Sequence, residues 1–478
     1  MEEFRQTVES RVVSLSALDS YASVINTQVI LFYKNESVTP DFMPAHQLEE
    51  GFYKTLKQFP TLAGYLRQKP DNGLEIVIDK DDLNLPEYRE STSDIRFDSL
   101  DVAKFNPSVW PEGLMSAGVV PVPSGSSDRI KLANVHIVRL KDNSGVAMFI
   151  SVIHAIGDGT GFYVFVNRWA EETRCLHSGE AVSVANYCMD RSAIQANLPD
   201  TRKPLNAATK LTFTEPFRMA EWMAWLSLNT RNKLMDRVIT GAGWQGSLYK
   251  INRAKLDSLC TEVSKHIPDG ERISNNDVLS ALIAKTLAQS EQSAATHLSG
   301  AMSWLLGKQN MQKVSIACDS RMRLGISHLN YVGNAQFLPA FSVPIEQSES
   351  PTTPGSLAEI ARLVREVVNS ADAEHIASYF DTLYNEPSSY TRPFIASTLF
   401  KSTVTITSQS RFGLYSADFG RGAPAFATTR PNRVAEAVSI LPDRPPSKDL
   451  YVSFTNTAQM LELIRNNRFW SDFAEFVY

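Results

Sequence analysis

His154, Asp158 and Gly159 stand together in the run His154-Ala-Ile-Gly-Asp158-Gly159, directly after the apolar stretch at residues 146–153. An imidazole at the end of a buried strand is held still by the scaffold and can meet a ligand. Its ordinary pKa of ~6.5 suits it to take a proton from a hydroxyl at neutral pH. Two structural roles fit the same residues: Asp158, before Gly159-Thr160-Gly161, can cap a helix, and a histidine at a strand end can be a packing residue. A cysteine nucleophile is an alternative, with Cys318 beside Asp319. Ile316-Ala317-Cys318 reads as strand interior, where thiols are usually inert. The four cysteines, Cys175, Cys188, Cys260 and Cys318, form no Cys-x-x-Cys pair and no disulfide framework, so they are expected as reduced thiols with no metal site.

The elements that must hold these groups alternate between strand and helix along the chain, an α/β pattern. Residues 28–33 are a continuous apolar run suited to a strand buried on both faces. Leu48, Phe52 and Leu56 recur at helical spacing, and Leu74, Ile76 and Ile78 alternate as in a half-buried strand. Residues 132–140 and 146–153 flank Lys141-Asp-Asn-Ser-Gly145, which predicts a hairpin whose second strand delivers His154. Phe162, Phe165, Val166, Trp169 and Ala170 then give one helical stripe. Residues 195–208, polar with two prolines, are the expected break between units 1–200 and 201–478. Beyond it Ser274 is placed to cap a helix with Leu279, Leu282, Ile283, Thr286 and Leu287 on one face. Residues 313–318 and 402–406 read as strands.

A chain of 478 residues exceeds one ordinary core and favours two domains. Its net charge of −5, with both signs interspersed, offers no basic stripe for a phosphate backbone, so no nucleic-acid partner is expected. An acidic N-terminus and the lack of a long apolar run predict a cytoplasmic protein with no membrane segment.

With the surrounding residues, the histidine run resembles the BAHD-type family of acyl-CoA-dependent acyltransferases, whose signature is His-x-x-x-Asp-Gly followed by a helix carrying Phe and Trp-Ala. Phe165, Trp169 and Ala170 match that helix. The family's Asp-Phe-Gly-Trp-Gly is matched by Asp418-Phe419-Gly420-Arg421-Gly422, after Thr407-Ser408-Gln409-Ser410-Arg411 where members usually carry Thr/Ser-Ser-Trp-x-Arg. Asp319-Ser-Arg321-Met-Arg323 with Tyr331-Val-Gly333-Asn334 matches a third landmark, and Leu15-Ser-Ala-Leu18-Asp19 and Pro60-Thr61-Leu62-Ala63-Gly64 are weaker echoes. Two departures stand out: Gln409 and Arg421 each replace a Trp. The looser motifs are similar to those of a fungal branch that includes trichothecene O-acetyltransferases.

The resemblance implies two similar chloramphenicol-acetyltransferase-like domains, each a mixed β-sheet flanked by helices, with a channel at their interface and His154 midway along it. It implies transfer of an acyl group, acetyl in the first instance, from acyl-CoA as co-substrate to a hydroxyl of a small-molecule, secondary-metabolite acceptor. An amine acceptor, or a non-catalytic binding member of the fold, is the alternative. His154 is then the general base, Thr407 the oxyanion donor, and Gly159 leaves room for substrate. Asp158 pairs with Arg321 instead of relaying charge. Ser274 and Arg411 lie near the CoA end, with a helix cap and a solvated arginine as their alternative roles. Asp418, Gly420 and Gly422 form a structural lock, and the protein is expected to be a monomer without permanent cofactor. The related condensation domains of peptide synthetases carry a second histidine where this chain has Ile153.

Overall fold

The computed structural model describes residues 2–22, 25–69, 73–115, 129–210, 244–297, 311–345, 351–385, 403–429 and 437–478. Two large mixed sheets organise it.

The first has five strands in the order Phe426–Thr428, Asn26–Lys34, Gly145–Ile153, Ala133–Arg139, Glu87–Thr92. Only the last pair is parallel. Gly145–Ile153 is buried at every position because both its faces are covered. Val146, Met148, Ile150 and Val152 join a core with the helices Ala45–Gln58 and Gly159–Ser178. Ala147 and Phe149 face a second core, shared with Phe32, Phe97 and Phe105 and with Leu248, Leu441 and Tyr451 of the other sheet. The predicted hairpin is present, with residues Lys141–Asn143 as its turn.

The second sheet runs Ala340–Pro344, Met311–Ile316, Val404–Ser408, Ala437–Arg444, Asp449–Asn456, Gln245–Ile251, Glu475–Phe476. Val404–Ser408 is parallel to both of its neighbours. One face, with Val404, Ile406, Val438, Ile440, Val452 and Phe454, packs under helices Arg253–Ser264, Asn275–His297, Pro354–Asn369 and Ala458–Asn466. The strand expected over 402–406 is found as Val404–Ser408, and Ser402 lies outside the described residues.

Helix Gly159–Ser178 starts at Asp158, whose carboxylate accepts from the Gly161 amide, and ends at Gly179 in the left-handed region, φ 76°. Its stripe Phe162, Phe165, Val166, Trp169 and Ala170 is buried as the spacing predicts, and the Trp169 indole donates to Leu48 O at 2.8 Å. Helix Asn275–His297 departs from the expected single face. Besides Leu279, Leu282, Ile283, Thr286 and Leu287 it buries Val278, Ala281, Ala284, Lys285 and Ala288. The cause is packing: the sheet lies on one side, and Pro354–Asn369 and Ala458–Asn466 lie on others. Residues 198–204 are largely exposed.

Among the described residues no helix is long and apolar enough to cross a membrane. No group of three or more His, Cys, Asp or Glu side chains among them could hold a metal.

Candidate active site

Strand Gly145–Ile153 ends at His154, whose amide donates to Ile25 O at 2.8 Å before a tight turn, His154–Ile156, leads into the helix. The imidazole Nδ1 lies 2.8 Å from Asn334 Oδ1. Which atom of the Asn334 amide is the oxygen follows from its other contacts. Its Nδ2 donates to Asp19 Oδ1 at 2.8 Å and to His154 O at 2.7 Å, both acceptors only. The remaining Oδ1 must therefore accept, which puts the proton on Nδ1 and the lone pair on Nε2. Asp19 is itself held: it closes a capping box with Ser16, accepts from the Asn334 amide at 3.0 Å, and pairs with buried Arg191 at 3.4 Å. Burial lowers the pKa of His154, against the opposing pull of Asp158 and of the Asn334 hydrogen bond, so the ring is neutral at pH 7.

Asp158 does not touch the imidazole. Arg321 grips it with two hydrogen bonds, 2.9 and 3.0 Å, and the amides of Ala335 and Gly161 donate to it at 3.0 and 3.2 Å. Burial alone would push its pKa up, but the guanidinium charge and these donors outweigh that and hold it below the usual carboxylate value. Arg321 further donates to Tyr331 O, Gly333 O and Asp319, so this one side chain binds the histidine loop to residues 331–335. The approach is close: a Cβ on Gly157 or Gly161 would lie 2.3 or 2.1 Å from Val332 O.

His154, Asp158, Gly159, Thr407, Ser274 and Arg411 all line one cavity of about 1170 Å³. Single small-molecule pockets occupy roughly 300–1,000 Å³, so the cavity has room for two substrates together. Thr407 has no side-chain hydrogen bond among the described residues. Ser274 forms a capping box with Asp277, its hydroxyl 2.9 Å from that carboxylate, and so acts as the helix cap as well as a wall residue. Arg411 is exposed at the rim. Gln409 accepts from the Tyr163 hydroxyl at 2.9 Å, so its amide oxygen is engaged and only its NH₂ remains to donate. Cys318 also borders the cavity, but burial raises its thiol pKa to about 11, which keeps it protonated and removes it as a nucleophile.

Gly159 borders the cavity and also abuts an aromatic ring. A Cβ there would come within 2.4 Å of the Phe412 ring, so the missing side chain makes room for that aromatic, whose centroid lies 5.0 Å from that of Tyr163 with the rings tilted by 32°. Asp418, Gly420 and Gly422 lie away from the cavity wall. The Asp418 carboxylate accepts from the amides of Gly420, Arg421 and Gly422 at 2.8 to 2.9 Å, and both glycines have positive φ, 90° and 86°. Phe419, between Asp418 and Gly420, packs edge-on to Trp169 at 5.0 Å, fastening this turn to the helix after His154. Arg421 keeps the turn intact because only its backbone takes part.

Sequence reasoning missed the roles of Asn334 and Asp19. Both stood inside quoted motifs, and the Ser16-x-x-Asp19 capping spacing was the only local signal.

Two mixed sheets thus frame a cavity in which an imidazole of fixed tautomer can act as a base. The model of the Transferase family matches residues 5–468, so the chain belongs to that family, the BAHD-type acyl-CoA-dependent acyltransferases. A hydroxycinnamoyltransferase of Narcissus pseudonarcissus is 22% identical over 86% of this chain and 84% of its own length. A hydroxycinnamoyl-CoA:5-hydroxyanthranilate N-hydroxycinnamoyltransferase of Avena sativa is 22% identical over 94% of this chain and 93% of its own. TRI101 of F. sporotrichioides, solved with coenzyme A and T-2, superposes with a TM-score of 0.74 at 16% identity, covering 98% of this chain and all of that one, and so shares the fold.

Proposed function

We propose that the protein transfers an acyl group, acetyl in the first instance, from acyl-CoA to a hydroxyl of a small-molecule secondary metabolite. The observation that carries this is the Asn334 contact, which sets the lone pair of the buried, neutral His154 on Nε2 in a cavity sized for two ligands. Nε2 takes the acceptor proton, the alkoxide attacks the thioester carbonyl, and the imidazolium returns the proton to the departing CoA sulfur. As positive charge forms on the ring, the Nδ1–H bond to Asn334 strengthens. Thr407 donates to the tetrahedral oxyanion, and Asp158 with Arg321 positions the loop. CoA lies toward Ser274 and Arg411. The units 1–200 and 201–478 meet around this cavity, and the protein works in the cytoplasm as a monomer.

Release of CoA thiol from acetyl-, malonyl- and hydroxycinnamoyl-CoA, with alcohol and amine acceptors, tests the reading, and product mass separates O- from N-transfer. Acceptor-dependent release should fall at least ~100-fold in a folded His154→Ala variant. Undiminished release there would sink the mechanism.

A further inference from the structure

The second sheet has two unlike faces. Ile406, Val438, Val452 and Phe454 point into the core under the helices, whereas Thr405, Thr407, Ser439, Ser453 and Thr455 all line the cavity. These alternate positions meet in register: Thr407 stands opposite Ser439, Ser439 opposite Ser453, and Ala437 opposite both Thr405 and Thr455. Adjacent strands are about 4.8 Å apart, so the row Thr407, Ser439, Ser453 sets hydroxyls at the reacting centre and about 5 and 10 Å from it.

Among the described residues, most of these hydroxyls lack protein partners. Thr405 bonds Ser315 at 2.9 Å, but Ser439, Ser453 and Thr455, like Thr407, make no side-chain hydrogen bond among the described residues. Ser453 and Thr455 are only 8% and 5% exposed. Their hydroxyl oxygens open onto the cavity, where water can bond them, so the row offers hydrogen bonds to any ligand that displaces that water with oxygens of its own. Strand direction says which ligand. Val404–Ser408 and Ala437–Arg444 run parallel, and Arg411 lies just beyond the end of the first. Thr405 and Thr455 therefore lie on the side of Thr407 remote from Arg411, which is the acceptor side when CoA lies toward Arg411 as proposed above.

We propose that this hydroxyl face reads the acceptor, and that the acceptor is a neutral molecule carrying several hydroxyl or carbonyl oxygens along one side. A flat aromatic or hydrocarbon alcohol with a single oxygen would leave the row unpaired. No charged side chain stands at the five positions, so the face complements neither a carboxylate nor an ammonium. The inference rests on the acyl-transfer reading above.

The test uses the full chain with acetyl-CoA and two acceptor sets: menthol and cyclohexanol with one oxygen, deoxynivalenol and methyl β-glucopyranoside with several. The ratio of kcat/KM, polyoxygenated over single-oxygen, should exceed ~10 in the native protein and fall roughly three- to tenfold for each of Ser439→Ala, Ser453→Ala and Thr455→Val. CoA binding by calorimetry is followed in the same proteins. A native preference for menthol, or a ratio that the variants do not move, overturns the proposal. Loss of CoA affinity in Ser453→Ala or Thr455→Val also overturns it, by assigning the face to the pantetheine arm. Native protein that binds no CoA sinks the acyl-transfer reading itself, whereas intact CoA binding with a menthol preference sinks only the acceptor assignment.

Discussion

Replacing Asn334 with alanine removes the one acceptor that fixes the His154 tautomer. In the ground state Nδ1–H to Oδ1 is a neutral hydrogen bond, worth a net ~0.5–1.5 kcal/mol, and it becomes charge-assisted, ~1.5–3 kcal/mol, as the ring protonates. The difference, about 1–1.5 kcal/mol, is a roughly five- to tenfold loss in kcat. Loss of tautomer and ring orientation should take the total to roughly 10- to 100-fold, within the range general-base catalysis supplies. The substitution has a second signature. The Asn334 bond raises the His154 pKa against burial, so removing it lets burial dominate and the pKa falls further below 6.5. The acid limb of kcat/KM against pH should then move to lower pH while the plateau drops. CoA release from pH 5 to 9, with thermal unfolding as a check on folding, measures both. An unchanged plateau would refute the tautomer argument. An acid limb moved upward would show that the variant had merely opened the site to water.

Arg321→Met strands the buried Asp158 carboxylate and should cost ~3–5 kcal/mol by denaturant unfolding, with Asp158→Asn in the same chain recovering part of it. The lowered pKa of Asp158 means the unfolded state binds the proton more readily, so that contribution is present above about pH 3.8 and is lost as pH falls through the folded value. His136 and His154 also titrate below 6.5 in the fold, both chiefly through burial. Stability should therefore rise with pH up to about 6.5 and then level, and His154→Gln should flatten part of that slope in melts across pH 5–8. Gly159→Ala must displace the Phe412 ring and should lower turnover about tenfold, with Phe412→Leu restoring part of it. Cys318→Ser should keep most activity, and the native thiol should alkylate slowly at pH 7.5 because its pKa is about 11.

Where the pattern is local, sequence and structure agree. The turn at residues 141–145, the period of Phe162 to Ala170 and the alternation at Leu74, Ile76 and Ile78 are short-range consequences of backbone geometry. What escaped depends on distant pairing. Asp19 and Asn334 are 315 residues apart, and no periodicity announces that one aims the other. Phe426–Thr428 joins the first sheet through Asn26–Lys34, a pairing too short and too remote to read. Helix Asn275–His297 looked one-faced because its alanines and Lys285 are not strongly apolar, yet three neighbouring layers bury them. The hydroxyl face was visible as Thr405/Thr407 and Ser453/Thr455 alternating with apolar residues, a pattern that ordinarily means a solvated sheet face and here lines a cavity.

The paired carboxylates explain how a buried imidazole stays a base. An unneutralised carboxylate near His154 would favour the protonated ring and fill the lone pair that must accept the acceptor's proton. Asp158 and Asp19 are both close enough to raise the His154 pKa, yet each is tied to a buried arginine, Arg321 and Arg191, so burial prevails and the ring remains neutral. The same two pairs cross-link the histidine loop to residues 331–335 and to the N-terminal segment. Charge balance and positioning are thus one arrangement. Breaking Arg321 alone should therefore raise the His154 pKa while loosening the loop, the opposite direction in pH from Asn334→Ala. Comparing the acid limbs of these two variants separates electrostatic control of the base from its orientation.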